Sequence, residues 1–448
     1  MAQGEAAPED DGKRSSTRQW QWQRYTSYLR RPSCLSSPAA DGPTGVGSDR
    51  SAAAAVRDSG SAAEQRAPAH LVVMVNGIIG RSASVGTERD PALCAILALV
   101  MQSNLSVFFC SSYFRRNTTD AQLVIHPSLL KYVFFCVCSA ANWKYAAKQF
   151  VKSHPEDVVV HRSQCNYSTL TFDGVDVMGE RLADEVISIV ANNPGLQKIS
   201  FVGHSLGGLI ARYAITLLYE KSIQKHSSEE NGECEDNTPG TTCVDKNFKG
   251  KIAGLEPINF ITFATPHLGS RLHKQIPILR GFYTLEKMAY HTCWIFGRTG
   301  KHLFLKDKDN GKPPLLVQMV NDYGDLRFMS ALQSFKRRVA YSNVCFDFIV
   351  GRKTSSIRHQ HELPKRQDFM KNSEYRHIVY VKKPIITDVP QMNFSASMTC
   401  ELNTISEMEE VMINGLNRVP WERVDVSFRK CSQRFFAHST MQVCYRHS

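Results

Sequence analysis

KISFVGHSLGGLIARY, residues 198–213, joins two patterns that belong to different secondary structures. Ile199, Phe201 and Val202 around Ser200 read as a short buried strand, and from Leu206 to Leu218 apolar residues recur at helical spacing. Between them stands Gly203-His204-Ser205-Leu206-Gly207, a G-x-S-x-G pattern. A strand that turns at once into a helix forces the central serine into a strained backbone conformation, and the two glycines leave room for neighbouring backbone. Ser205 Oγ then stands above the sheet edge as a candidate acyl-transfer nucleophile. The backbone N–H of Leu206, at the helix start, points at the oxygen the nucleophile attacks. A glycine-rich turn with an incidental serine is the plainer alternative, and the flanking strand and helix weigh against it. His204 is read as a neighbour of the turn, not as a base, because a residue adjacent to the serine on a tight turn points away from it.

Upstream, Leu71-Val72-Val73-Met74-Val75 is a near-continuous apolar run, the pattern of a strand buried on both faces. Asn76-Gly77 then opens a loop reaching Gly80. In a strand–turn–helix hydrolase site the second oxyanion donor comes from the loop after an early strand, which makes Gly77 or Ile78 the candidate; an ordinary Asn-Gly turn is equally compatible. Ala140 to Phe150 reads as an amphipathic helix, Asp157 to His161 as a strand, and Asp173 to Val190 as a helix that Asp173 would cap. Strand and helix in alternation specify a parallel sheet covered on both sides.

Downstream, Lys221 to Pro257 is polar, acidic in its middle and turn-rich, and reads as a mobile surface loop. Ile258 to Ala264 is another strand, followed by His267, a lesser candidate for the base. Leu272 to Leu305 mixes apolar and basic residues and reads either as a lid beside the site or as a core-packing helical pair. Arg338 to Cys345 is a further strand with Asp347 just beyond it. After a later strand, Trp421 to Phe428, comes His438 on an aromatic-flanked loop. Ser205, Asp347 and His438 thus run in the order nucleophile, acid, base.

The 448 residues are 42% apolar and carry a formal charge of +12, with Lys and Arg dispersed rather than gathered in a stripe. That dispersion argues against nucleic acid and for a mildly basic surface facing anionic lipid. Thirteen cysteines without a regular framework, and no secretory signal at Met1, point to reduced thiols in an intracellular compartment. Nothing in the spacing asks for a metal or a cofactor. Residues 1–68, rich in Ala, Ser, Gly, Pro and Arg, form an expected disordered tail; its acidic start argues against a transit peptide, which leaves a plastid address the weaker alternative to a cytoplasmic, membrane-associated one. Residues 81–138 do not fit their surroundings. Pro91 to Phe114 carries no charge over 24 residues, yet polar residues interrupt it and a membrane span is not expected.

VVMVNGIIG, TFDGVDVMGERLADEV, KISFVGHSLGGLIARYA, ITFATPHLGS and RKTSSIR together resemble the plant branch of the serine esterase (lipase-like) α/β-hydrolases of the domain-of-unknown-function 676 family, over about residues 70–80 and 139–443. The resemblance implies an α/β-hydrolase fold, a mostly parallel, doubly wound sheet with a helical lid-like insertion, spanning 69–448. It implies hydrolysis of carboxylic esters of lipids or small molecules, with Ser205 as nucleophile, Asp347 as acid and His438 as base, and contact with a membrane periphery. Family members pass from NGIIG directly into the helix of Trp143, whereas about 58 residues intervene here, and they continue through a final helix where this chain stops at Ser448. The alternative reading is therefore a catalytically impaired isoform that keeps the fold to bind lipid or a partner.

Overall fold

The computed structural model describes residues 68–78, 143–221, 250–271, 290–291, 293–309, 311–370, 375–384, 402, 404–432 and 434–442. Contacts divide the chain into 1–63 and 64–448, and every described residue lies in the second unit. The expected tail to residue 67, the 81–138 insertion, and the larger parts of the 221–257 and 272–305 segments lie outside the described residues.

The strands are β1 (His70–Val75), β2 (Val158–Arg162), β3 (Lys198–His204), β4 (Glu256–Phe263), a two-residue pair β5 (Asp322–Tyr323) and β6 (Leu326–Arg327), β7 (Arg337–Asn343), β8 (Ile378–Lys382) and β9 (Glu422–Val426). The helices are α1 (Lys144–Ser153), α2 (Val175–Asn192), α3 (Leu206–Leu218), α4 (Gly297–Leu303), α5 (Leu315–Gln318), α6 (Phe328–Gln333), α7 (Arg352–Ser356), α8 (Ile405–Leu416) and α9 (Ala437–Thr440). Seven strands form one sheet in the order β2-β1-β3-β4-β7-β9-β8. All neighbours are parallel except the edge strand β8, which runs antiparallel to β9.

β1 shows why its sequence has no polar alternation. Leu71, Val73 and Val75 enter the main core with α2 and α3, while Val72 and Met74 pack on the opposite face with Trp143 and Val202. A strand covered on both sides is apolar at every position. The chain goes from β1 out to β2 and returns past β1 to β3, so the strand order reverses between β1 and β3. Crevices open outside the carboxyl ends of strands at such a point.

Two expectations, the mobile loop and the helix cap, need correction, and one of two open readings is narrowed. The end of the 221–257 segment is part of the body: Ile252 and Leu255 are buried, and β4 begins at Glu256. The described end of the 272–305 segment, 293–305, packs instead of covering. Thr299 Oγ1 accepts the Gly174 N–H at 3.1 Å and His302 Nδ1 accepts the Val175 N–H at 3.1 Å, so this segment caps α2. Asp173 is not the cap. Gly174 occupies that position at φ 110°, and Asp173 is ion-paired with Arg181.

A buried charge cluster ties the RKTSSIR segment to the sheet. Asp425 on β9 is wholly buried and accepts from Arg352 Nε at 2.8 Å, Arg358 Nη1 at 2.7 Å and Ser342 Oγ at 3.0 Å. Breaking such a pair from one side costs about 3–5 kcal/mol, because an uncompensated charge is left inside. Thr354, in the same segment, accepts the Leu268 N–H at 2.8 Å and so joins the loop after β4 to α7. Among the described residues no helix is long and apolar enough to cross a membrane.

Candidate active site

Ser205 stands between β3 and α3 at φ 54° and ψ −128°, a left-handed backbone for a residue with a side chain. Strain of this kind costs on the order of 1–3 kcal/mol and persists only where surrounding structure enforces it. Here the Ser205 N–H is held by Phe263 O at 2.8 Å, at the end of β4. A Cβ at Gly207 would come within 2.5 Å of the Val75 and Asn76 carbonyl oxygens, and one at Gly203 within 2.6 Å of Gly208 Cα. The two motif glycines are thus required by close backbone approach.

The register of β1 and β3 places Val75 opposite Gly203, so the loop after β1 runs beside the turn. Gly77 lies directly against Ser205: a Cβ there would be 2.7 Å from Ser205 Cβ and 3.2 Å from its Oγ. Ile78 follows with its side chain half-buried against the main core. The Leu206 N–H opens α3, where no preceding helical carbonyl exists to accept it. Asn76 is buried. Its Nδ2 donates to Ser163 O at 3.4 Å, and its Oδ1 accepts from Gln442 Nε2 at 3.1 Å.

Asp347 sits four residues beyond β7, after Phe346 at φ 62°. One carboxylate oxygen accepts the Ile349 and Val350 N–H groups at 3.1 and 2.9 Å; the other accepts Asn343 Nδ2 at 2.9 Å and His438 Nδ1 at 2.9 Å. Burial alone would raise this carboxyl, but the His438 ring and the four hydrogen bonds outweigh it and hold Asp347 below the usual carboxylate range. A carboxylate accepts and cannot donate, so His438 carries its proton on Nδ1 and leaves Nε2 as a lone pair. His438 lies on the short helix α9 and not on the expected loop.

His204 does more than neighbour the turn. Its Nε2–H donates to the His438 carbonyl at 2.7 Å, and the two rings lie 4.8 Å apart. Full burial, and then the neighbouring His438 ring, push His204 down to about 3, so it stays neutral and fixes the backbone of α9 against β3. His267, the lesser candidate for the base, is also buried, hydrogen-bonded to Thr262 Oγ1 at 3.0 Å and stacked edge-on against Trp421. Burial and nearby Arg212 hold it well below the usual histidine range. The structure therefore brings Asp347 and His438 together, ties His438 to the residue preceding Ser205, and sets Gly77 on Ser205. His267 and Asp173 it leaves apart.

His204, Asn76 and Gln442 were not assigned from sequence. Their contacts span 234 and 366 residues, and no local pattern announces them. A hollow of about 590 Å³ lined by Gln197, Lys251, Glu256 and Lys336 lies at the amino ends of the strands, away from Ser205.

Gly77 gives a direct test of the loop's position. It is not in the positive-φ region, so alanine fits its backbone, and the added methyl must push either the loop or Ser205 aside. Displacement by ~1 Å costs about a hundredfold in rate. Gly77→Ala is expected to lower kcat/KM on a p-nitrophenyl ester by that order. Wild-type kinetics in this variant would remove the loop from the site.

The reversed strand order, the strained serine between strand and helix, and the acid and histidine after later strands define an α/β-hydrolase. Residues 135–357, just under half of the chain, match the model of the family described as Putative serine esterase (DUF676). The matched stretch contains Ser205 and Asp347 and ends before His438. Among curated proteins, "Putative lipase ROG1" of Saccharomyces cerevisiae is 31% identical over 53% of this chain and 28% of its own length. "Putative lipase YDL109C" of the same yeast is 28% identical over 49% and 28%. "Putative lipase C4A8.10" of Schizosaccharomyces pombe is 28% identical over 48% and 24%. The chain thus spans about a quarter of the length of these relatives. They are fungal and lend no support to a plant branch. A solved structure, "Phospholipase PlaB from Legionella pneumophila in complex with thio-NAD", covers 62% of this chain and 38% of that one at 13% identity with a TM-score of 0.25, too loose a likeness to argue from.

Proposed function

We propose that the chain hydrolyses carboxylic esters, with lipid acyl esters as the substrate class, through Ser205, Asp347 and His438. The observation that carries the proposal is the His438–Asp347 hydrogen bond at 2.9 Å, made by a histidine whose own carbonyl is held by the residue before Ser205. In this mechanism His438 Nε2 takes the Ser205 Oγ proton as the oxygen attacks the ester carbonyl. The tetrahedral oxyanion is received by the Leu206 N–H and an N–H of Gly77 or Ile78. His438 then gives its proton to the departing alcohol, and Asp347 stabilises the imidazolium formed in between. Water, deprotonated by the same Nε2, releases the acid from the acyl-enzyme. The preference for lipid rests on the names of the yeast relatives alone. A fluorophosphonate probe on the full-length protein tests the chemistry: adduct formation at the Ser205 peptide is expected, and labelling no greater than in a heat-denatured control overturns the proposal.

A further inference from the structure

The loops at the carboxyl ends of the strands carry more than the site. After β9 the chain runs Ser427, Phe428, Arg429, Lys430, Cys431 and Ser432, then Arg434, Phe435 and Phe436, directly into the helix bearing His438. Arg429, Lys430 and Arg434 are exposed, no acid occurs among these described residues, and none of the three cations is ion-paired to a described residue. Arg434 lies over the rings of Phe435 at 4.8 Å and Phe346 at 5.9 Å, and Phe346 adjoins Asp347. A guanidinium placed over aromatic rings gains cation–π attraction and still has N–H groups to offer a partner.

Three of the exposed aromatics belong to this end. Phe435 is 38% exposed; Tyr167, in the loop after β2, is 38% exposed; Trp294 is 66% exposed. Trp294 belongs to the 293–296 turn, whose Phe296 packs against Phe172 at 5.8 Å, also after β2. On that side Asp173 is paired with Arg181 and Asp176 with Arg298. The 429–434 turn beside His438 adds three cations and, among its described residues, no acid. Tyr and Trp side chains with an apolar body and a polar tip, and Phe435 beside cations that pair with no described acid, suit the boundary between headgroups and acyl chains.

We infer that this rim, Arg429, Lys430 and Arg434 with Tyr167, Trp294 and Phe435, docks the chain on an anionic phospholipid surface with the Ser205 site facing the bilayer. The inference deepens the esterase reading by naming the surface from which the substrate is taken. The cations supply attraction to anionic headgroups, and the aromatics enter the interface. Because screened charges provide part of the affinity, salt must release the protein.

The test is flotation of the full-length protein with vesicles of phosphatidylcholine alone or with about 30% phosphatidylserine, at roughly 0.1 M and 1 M NaCl. Wild type is expected to float with the anionic vesicles at low salt only. Each cation near the surface contributes roughly fivefold to partitioning, so Arg429→Ala, Lys430→Ala and Arg434→Ala together are expected to lower it on the order of a hundredfold. Trp294→Ala with Phe435→Ala is expected to lower flotation with the anionic vesicles at low salt. Melting temperatures report whether the variants fold, and the wild-type salt series needs no variant at all. Equal flotation with neutral and anionic vesicles, or an unchanged triple variant, overturns the docking surface. Probe labelling of wild type without vesicles separates the two readings: a chain that labels but does not float loses only the surface, and one that floats but does not label loses only the esterase.

Discussion

Ser205→Ala is expected to remove fluorophosphonate labelling and to lower ester turnover on the order of 10⁶-fold, while the melting temperature hardly moves. The separation of the two readouts follows from the geometry. Ser205 is almost buried, and its backbone, not its hydroxyl, makes the contacts that hold the turn, through the bond from its N–H to Phe263 O. Alanine at φ 54° carries the same Cβ and nearly the same backbone strain, so the fold loses only a hydroxyl. The chemistry loses its nucleophile. Residual turnover of about 10³–10⁴ over water can persist from the oxyanion donors and binding alone. Labelling of the alanine variant at the wild-type rate would place the nucleophile elsewhere.

Asp347→Asn is expected to cost about 10⁴ in kcat with little change in KM. An asparagine can still accept the Ile349 and Val350 N–H groups with its oxygen, which turns its NH2 toward His438 Nδ1. His438 must then move its proton to Nε2, the nitrogen that has to accept the proton of Ser205. The substitution also removes pH-dependent stability. Asp347 is held below its ordinary range in the folded chain, so its contribution is complete above an unfolded carboxyl pKa of about 3.9 and is lost as pH falls through the lower folded value. Urea unfolding at pH 7 and near pH 3 checks this: the gap between wild type and the variant should narrow in acid. Full activity in Asp347→Asn would require another acid, and Asp173, committed to Arg181, is not placed to supply it.

What the sequence made legible is where a local pattern has a single physical cause. The run Leu71–Val75 has no polar residue because helices cover both faces of β1, and the two glycines around Ser205 sit where a side chain would strike backbone. α3 has the limits that apolar spacing marked, Leu206 to Leu218. Ser205, Asp347 and His438 follow β3, β7 and β9, the chain order in which the sequence presented them. Other features depend on contacts that no window of sequence contains. Asp425 looked like one more strand residue, and only its meeting with Arg352 and Arg358 reveals a buried charge cluster. The start of α2 was assigned to Asp173 by cap chemistry, whereas Thr299 and His302, more than a hundred residues later, accept its first N–H groups. β8, with one strand neighbour and half-buried residues, lacked the alternation that would have marked it.

The ties around α9 also set the order in which the site comes into being. During synthesis the β3–α3 turn and Asp347 emerge before His438, and the base is secured only when its carbonyl meets His204 across 234 residues and Gln442 meets Asn76 across 366. Contacts of that span form late, since the entropy of closing the loop precedes any reward from the contact. Under the proposed mechanism a growing chain can fold the β3–α3 turn and still be inert, with Ser205 lacking a proton acceptor until β9 and α9 have joined the body. Under the proposed mechanism activity would report on completed folding, because an acyl-enzyme would form only once the loop after β1 and the end of α9 have found each other.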